Sequence, residues 1–205
     1  MVYQLTTRDI NSLLNRFNPK EKAYSKKEIV KTSKKYENKL CLVLEGMVYL
    51  CVENDNFEIN ILGYYGRGEF ITHSMLPDDK QGVSYFIAKK AAKIAYFDTD
   101  DLIKYMMSDK EHMEKLMGVI THQLEKKLFS HCLVLQQKTI RNKLIYYFKG
   151  EQSKQNSDLI KMPMPYSDLA EYLGVDRSAM MKELTKMKKE GLISEDKHII
   201  QLNFE

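Results

Sequence analysis

The residues most suggestive of a chemistry lie near the end of the chain, in Tyr166-Ser-Asp-Leu-Ala-Glu-Tyr-Leu-Gly-Val-Asp-Arg-Ser-Ala-Met-Met-Lys-Glu-Leu-Thr-Lys-Met-Lys-Lys-Glu-Gly-Leu-Ile193. The spacing predicts a helix, a tight turn at Gly174, and a second helix with one basic polar face that carries Arg177 and Lys182. Cationic side chains on one face of a short helix can hydrogen-bond base edges in the major groove of DNA, provided a first helix holds the second at the right angle. Met180, Leu184 and Met187 recur at helical spacing behind that face and read as core. Met181 falls between the two faces, within reach of a thymine methyl group.

Other elements must hold this pair in place. After it, Leu192-Ile-Ser-Glu-Asp-Lys-His-Ile-Ile-Gln-Leu202 reads as two short strands with a turn at Glu195-Asp-Lys197, which makes a wing. Before it, Lys138 to Phe148 reads as an amphipathic helix ended by Gly150, followed by a polar loop from Glu151 to Asp158. Earlier still, a long helix is predicted from about Asp109 to Gln137, with Met113, Met117, Ile120, Leu124, Leu128, His131 and Leu135 at spacings of three and four. About 28 helical residues span about 42 Å, longer than a small domain can cover. Such a stripe can pack as core against the roll or form a coiled-coil-like dimer contact, and the length favours the dimer seam.

Residues 26–97 have a different texture, with short β-type runs separated by turn residues. Lys39–Leu44, Met47–Val52, Phe57–Leu62, Val83–Ala88 and Lys93–Phe97 read as strands, with turn signals at Glu45-Gly46, Asn54-Asp-Asn56, Gly66-Arg-Gly68 and Pro77-Asp-Asp79. Many short strands at regular spacing indicate an antiparallel sandwich or roll. A capped helix over 6–17 precedes them, starting at Thr6 or Thr7 and presenting Ile10, Leu13, Leu14 and Phe17 on one face. A short helix from Asp98 follows. The expected class is α+β. A jelly-roll-like antiparallel β-roll spans 1–97, a short helix plus a long dimerisation helix 98–137, and a winged helix-turn-helix 138–205.

Composition sets broad limits. A length of 205 residues with a formal net charge of +4 permits real cores and leaves the choice of partner to local charge placement. The first residues lack the apolar core of a signal peptide, and the most apolar run, Leu40 to Val52, is broken by Glu45-Gly46 and too short to span a bilayer. Cys41, Cys51 and Cys132 sit in apolar segments without metal-ligand spacing, so buried thiols in a reducing cytoplasm are expected, with no metal and no cofactor.

The order of these segments and several motifs resemble the Crp/Fnr family of bacterial transcriptional regulators. Leu40-Cys-Leu-Val-Leu-Glu-Gly-Met-Val-Tyr-Leu50 is similar to the family's strand–Gly–strand hairpin, and Tyr64-Tyr-Gly-Arg-Gly-Glu-Phe-Ile71 to its glycine-rich turn. Ile94–Asp98 leads into the helices as the family's last roll strand does. Arg141 stands where the first helix of the family's DNA domain carries an Arg, and Val175–Leu184 with Met187 and Gly191-Leu-Ile193 resembles its recognition helix.

The resemblance implies roles for individual residues. Arg177, Ser178 and Lys182 fall at the family's base-reading positions. A guanidinium forks onto guanine O6 and N7. Lys182 meets a guanine as a point charge, and Ser178 replaces the family's Glu. Thr139, Ser167, Lys197 and His198 fall where the family anchors phosphates, which fix register without reading sequence. Lys186, Lys188 and Lys189 add charge or form a solvated helix end. The implied partners are double-stranded DNA, a second copy of the chain and RNA polymerase, with no membrane.

Members that bind cyclic AMP carry a Gly-Glu pair and an Arg-Ser pair around the effector pocket. Thr72-His73 and Val83-Ser84 occupy those places here, beside Phe70. A buried phosphate without its cation costs several kcal/mol, roughly. The effector is therefore a small molecule other than cyclic AMP, or absent. The cysteines of the iron–sulfur branch are missing before Cys41; haem-binding relatives use His or Cys ligands, and His73, His122 and His131 are available, but a lone His on an amphipathic helix reads as a seam or surface residue. An interaction module that has lost DNA binding is the alternative reading, and the basic face with Arg177 and Lys182 speaks against it. No catalytic constellation at motif-like spacing supports an enzyme.

Overall fold

The structure is a computed structural model that describes residues 5–32, 38–53, 59–71, 83–108 and 110–203. Its elements run α1 Thr7–Phe17, β1 Lys20–Tyr24, β2 Ile29–Thr32, β3 Lys39–Glu45, β4 Val48–Glu53, β5 Ile59–Tyr65, β6 Phe70–Ile71, β7 Val83–Ala88, β8 Ala92–Asp98, α2 Thr99–Ser108 and α3 Lys110–Leu135. They continue with α4 Ile140–Gln155, β9 Leu159–Lys161, α5 Tyr166–Leu173, α6 Arg177–Lys189, β10 Ile193–Asp196 and β11 Ile199–Leu202. The chain is α+β and divides into two compact units, Met1–Lys127 and Leu128–Glu205.

In the first unit two antiparallel four-stranded sheets, β1-β8-β3-β6 and β2-β7-β4-β5, make the roll. Strand alternation fills it. On β3, Cys41 and Val43 join Tyr24, Val30, Val48, Leu50, Phe86 and Ile94 in one buried cluster. Leu42 and Leu44 join Phe70, Ala95 and Phe97 in a second, which takes Ile10, Leu102, Leu116 and Val119 from the helices. β3 is buried on both faces, so its sequence is a continuous apolar run rather than an alternating one. A capping box fixes the start of α1, in which the Asp9 amide donates to Thr6 Oγ1 at 3.2 Å and the Thr6 amide donates to Asp9 Oδ2 at 2.9 Å.

Two polar side chains fasten the roll-facing part of α3. The Gln123 carboxamide accepts from the Phe70 amide at 3.0 Å and donates to the Phe70 carbonyl at 2.8 Å, pairing with β6 as a strand would. One turn later the Lys127 ammonium sits 2.9 Å from Glu69 Oε1 and 4.2 Å from the centre of the Tyr65 ring. It also donates to the Tyr64 carbonyl at 2.5 Å.

The second unit packs α4, α5 and α6 over the sheet β10-β11-β9. Leu144, Phe148, Ile160, Leu169, Leu173, Met180, Met187 and Ile200 are fully buried in it. Several local expectations change. α4 passes through Gly150 and ends at Asn156, which adopts the left-handed conformation at φ 48°, so most of the expected 151–158 loop is helix. Burial of Tyr147, Phe148 and Glu151 outweighs the poor helix propensity of one glycine. The loop also gives way to a strand, β9, which pairs Ile160 with Ile200 and makes the expected two-stranded wing a three-stranded sheet.

The wing turn falls on Lys197-His198, both at positive φ (45° and 68°), while Glu195 and Asp196 belong to β10. Two consecutive left-handed residues suit the right-handed twist of a two-residue hairpin. In the first unit β1 adds an unexpected edge strand, whose sequence Lys-Glu-Lys-Ala-Tyr buries only Tyr24. Cys41 and Cys51 are buried as expected, but Cys132 is exposed on α3. The turns expected at Asn54–Asn56 and Pro77–Asp79 lie outside the described residues.

Candidate nucleic-acid interface

α5 and α6 meet at Gly174, which closes α5 at φ 59° and donates its amide to the Ala170 and Glu171 carbonyls. A left-handed residue here costs glycine nothing and turns the chain within two residues into the next helix. Asp176 caps α6, with Oδ1 accepting from the Ala179 amide at 2.8 Å and from the Ser178 hydroxyl at 2.7 Å. These bonds, the Ser178 hydroxyl first, hold the Asp176 carboxyl below its ordinary range. Met180, Leu184 and Met187 turn inward and are buried. The opposite face leaves Arg177, Ser178 and Lys182 exposed and Met181 half-buried. The helix thus separates an apolar face that anchors it from a polar face that begins with a guanidinium.

Arg141 has a different task from the exposed cations. From α4 it donates through Nε to Glu183 Oε1 at 2.5 Å, and through both terminal nitrogens to Glu190 at 2.7 and 2.9 Å. Glu190 and then Glu183 push its pKa above the ordinary guanidinium value. Forked, charge-assisted bonds of this kind fix orientation. Arg141 therefore sets the pose of α6 from behind.

Residues 138–205 match the model of the Crp-like helix-turn-helix domain. This segment is similar to Crp-like helix-turn-helix domains. Across the whole chain the fold is shared with solved structures of low sequence identity. A mutant of CooA from Carboxydothermus hydrogenoformans is 19% identical with a TM-score of 0.76, covering 98% of this chain and 94% of that one. A cyclic nucleotide-binding domain containing protein from Listeria monocytogenes EGD-e is 12% identical with a TM-score of 0.78, over 94% and 96%. FixK2 from Bradyrhizobium japonicum is 17% identical with a TM-score of 0.70, over 91% and 93%. No curated protein matches the chain significantly.

Within the Crp-like domain the expected phosphate anchors occupy element ends. Thr139 caps α4, its hydroxyl oxygen accepting from the Asn142 amide at 3.2 Å. Ser167, second residue of α5, donates to Asp168 Oδ1 at 3.1 Å. Lys197 and His198 are exposed at the wing turn. Of the three lysines at the end of α6, Lys188 is committed to Glu195 and Lys186 lies 3.9 Å from Glu183. Lys189 is exposed.

The seam residues do not share one environment. Met117, Leu128 and Leu135 are exposed and Leu124 is half-buried. Ile120 packs on the helix-facing cluster of the roll. The Met113 side chain lies outside the described residues. His131 is buried, donating from Nε2 to the Tyr172 carbonyl at 3.0 Å and stacking on the Tyr172 ring at 4.4 Å. Phe129, Cys132 and Leu133, absent from the predicted stripe, are exposed on the same stretch.

Burial pushes the His131 pKa below its ordinary value, with the nearby Lys143 charge adding to the fall and the Tyr172 hydrogen bond opposing it. A depressed folded-state pKa means the unfolded chain binds the proton more readily, so this contribution is complete above about pH 6.5 and is lost on acidification. Urea melts of wild type and His131→Phe at about pH 7.5 and 5.5 should show a smaller pH-dependent loss in the variant. Parallel losses would refute the assignment.

The expected effector residues divide. Phe70 faces the helices with Leu116 and Val119. Ser84 is buried on β7, in the other sheet and two residues from inward-facing Phe86. Val83 begins β7 opposite Glu53. Thr72 and His73 lie outside the described residues. Among the described residues, no group of three or more His, Cys, Asp or Glu side chains could hold a metal. Nor is any helix long and apolar enough to cross a membrane.

Proposed function

We propose that the protein is a homodimeric, sequence-specific DNA-binding transcription regulator that inserts α6, residues 177–189, into the major groove of a pseudo-palindromic operator. The observation that carries this reading is the split of α6 between a buried Met180–Leu184–Met187 face and an exposed Arg177–Ser178–Lys182 face, inside a domain that matches the Crp-like helix-turn-helix. Arg177 forks onto a guanine, Lys182 meets a second base edge, and Met181 touches a thymine methyl group. Thr139, Ser167, Lys197 and His198 hold phosphates on either side.

Dimerisation is supported by the apolar surface of α3, where Leu128 and Phe129 are each 64% exposed and Met117, Leu133 and Leu135 between 44% and 47%. Large apolar side chains exposed in that number along one helix are what an interface would cover. Two-fold symmetry then places half-site centres about 34 Å apart on one face of the duplex. The effector, where one acts, is a small molecule without the cyclic phosphate of cyclic AMP, because Val83 stands where the pairing cation would be needed. The protein acts in the cytoplasm, and RNA polymerase is the partner through which it regulates.

Selection from a pool of randomised duplexes at fixed salt tests this reading. The recovered sequences should share an inverted repeat with one helical turn between half-site centres. Recovery of sequences with no common motif would overturn it, and would favour a protein partner for the exposed face of α6. Fixed salt matters because non-specific phosphate binding is steeply salt dependent.

A further inference from the structure

Glu195 binds three elements of the Crp-like domain at one point. It lies in β10, two residues before the wing turn. One of its carboxylate oxygens accepts from the Tyr166 hydroxyl at 2.8 Å, and the other pairs with the Lys188 ammonium. Tyr166 is the first residue of α5, and Lys188 lies in the last turn of α6. The carboxylate side chain is 17% exposed, and these partners hold it in one orientation. A carboxylate two residues from a turn proposed to hold phosphates is unfavourable by charge alone, since it would repel them. Its placement calls for a compensating role, and the hydroxyl–carboxylate–ammonium arrangement supplies one.

We infer that Glu195 is a positioning residue. It sets the wing turn, with Lys197 and His198, at a fixed place relative to the N-terminus of α5, with Ser167, so that both reach phosphates of the same operator while α6 reads the bases. The inference rests on the DNA-binding reading and deepens it. Glu195 touches no base and no phosphate; it acts through the elements it joins. The main-chain bond from the Met162 amide to the His198 carbonyl, at 3.0 Å, and the pairing of β11 with β9 hold the other side of the turn, while Glu195 ties β10 to α5 and α6 through its side chain.

The alternative role for Glu195 is only to neutralise Lys188; Glu195→Gln frees that ammonium under either role, so the net sign reports whether loss of the wing contact outweighs it. If Glu195 only neutralises, nothing offsets the freed ammonium. The operator is then bound more tightly, with a steeper dependence on salt. If Glu195 positions the wing, the same substitution also releases Lys197 from its phosphate. The expected net is a fall in affinity, with the slope of log affinity against log salt losing about 0.9 for each phosphate that Lys197 no longer neutralises. Tyr166→Phe is the companion variant. It removes one hydroxyl, leaves every charge in place, and should weaken operator binding about threefold to tenfold with a shallower slope.

The measurement is a salt series of anisotropy titrations on the selected operator with wild type, Glu195→Gln and Tyr166→Phe, beside thermal melts of each. Weaker binding with a shallower slope in both variants, at little-changed melting temperature, is the expected result. Tighter binding and a steeper slope in Glu195→Gln, or an unchanged slope in Tyr166→Phe, overturns the positioning role while leaving DNA recognition intact. Absence of selective binding by the wild-type protein overturns both readings together.

Discussion

Arg177→Ala should lower affinity for the selected operator by roughly a hundredfold or more, while leaving the melting temperature nearly unchanged. The two halves of this result have separate causes. Arg177 is exposed in the first turn of α6 and makes no hydrogen bond or ion pair among the described residues, so its removal leaves no buried partner unsatisfied. Its value lies in the complex. A bidentate guanidinium–guanine pairing discriminates against the wrong base by about 1–3 kcal/mol, and a two-fold symmetric complex loses it twice. Binding to scrambled duplex should fall much less, by the loss of one cation near the phosphates of each half-site. Arg177→Lys should lie between the two, because an ammonium keeps the charge and lacks the planar fork. A variant that bound operator and scrambled DNA with the wild-type ratio would show that Arg177 does not read sequence. Lys182, also exposed, would then be the next residue to test.

Much of this interface is legible in the sequence, because its logic is local. Met180, Leu184 and Met187 repeat at helical spacing, Gly174 supplies the turn, and Arg177 with Lys182 falls on the remaining face. Each of those facts involves residues within a few turns of one another. What the sequence conceals is long-range. Arg141 looks like one more basic residue of a DNA domain, yet it is spent on Glu183 and Glu190, 42 and 49 positions away. Lys188 belongs to a run of lysines that reads as general positive charge, until Glu195 takes it. His131 keeps helical step with apolar neighbours and so reads as part of a seam; its partner is Tyr172, 41 residues later.

The secondary-structure departures have the same origin. Gly150 is a plausible helix end by propensity alone, and a Cβ there would meet nothing within 4 Å, so no steric reason for glycine exists at that position. The helix continues because Tyr147, Phe148 and Glu151 around it are buried by the rest of the domain. β1 escapes the sequence pattern because an edge strand needs few apolar residues, and Lys-Glu-Lys-Ala-Tyr has one large one facing the core. Lysines on such an edge also discourage pairing with another chain. Local pattern finds elements that carry their own amphipathic signal, and misses those whose stability comes from what packs on them.

Gly46→Ala is the substitution expected to damage the fold most, and its argument is geometric. Gly46 stands between β3 and β4 at φ +82°, where an added Cβ would lie 2.1 Å from the Ala91 carbonyl oxygen and 2.7 Å from the Ala92 Cα. Both obstacles are backbone, so no side-chain rotation relieves the overlap. The surroundings are held as well, since the Lys89 amide donates to the Met47 carbonyl at 2.9 Å. β3 and β8 belong to one sheet of the roll, and β4 and β7 to the other. The β3–β4 and β7–β8 connections therefore both cross between the sheets, and Gly46 is where these two corners touch. Accommodating a methyl group means prising the corners apart and disturbing the Tyr49–Ile87 and Val43–Ile94 pairings beside them.

Left-handed strain alone costs an L-residue about 1–2 kcal/mol. With backbone overlap added, the loss should reach roughly 4 kcal/mol, in the exceptional range for a single substitution. Gly191→Ala provides the control, because Gly191 has φ +74° and an added Cβ would meet nothing within 4 Å. It should lose only the strain. Urea denaturation of both variants, followed by far-UV circular dichroism, separates the two contributions. Equal losses would show that the corner can yield, and that the close approach of Gly46 to Ala91 is not what holds the two sheets together at this end of the roll.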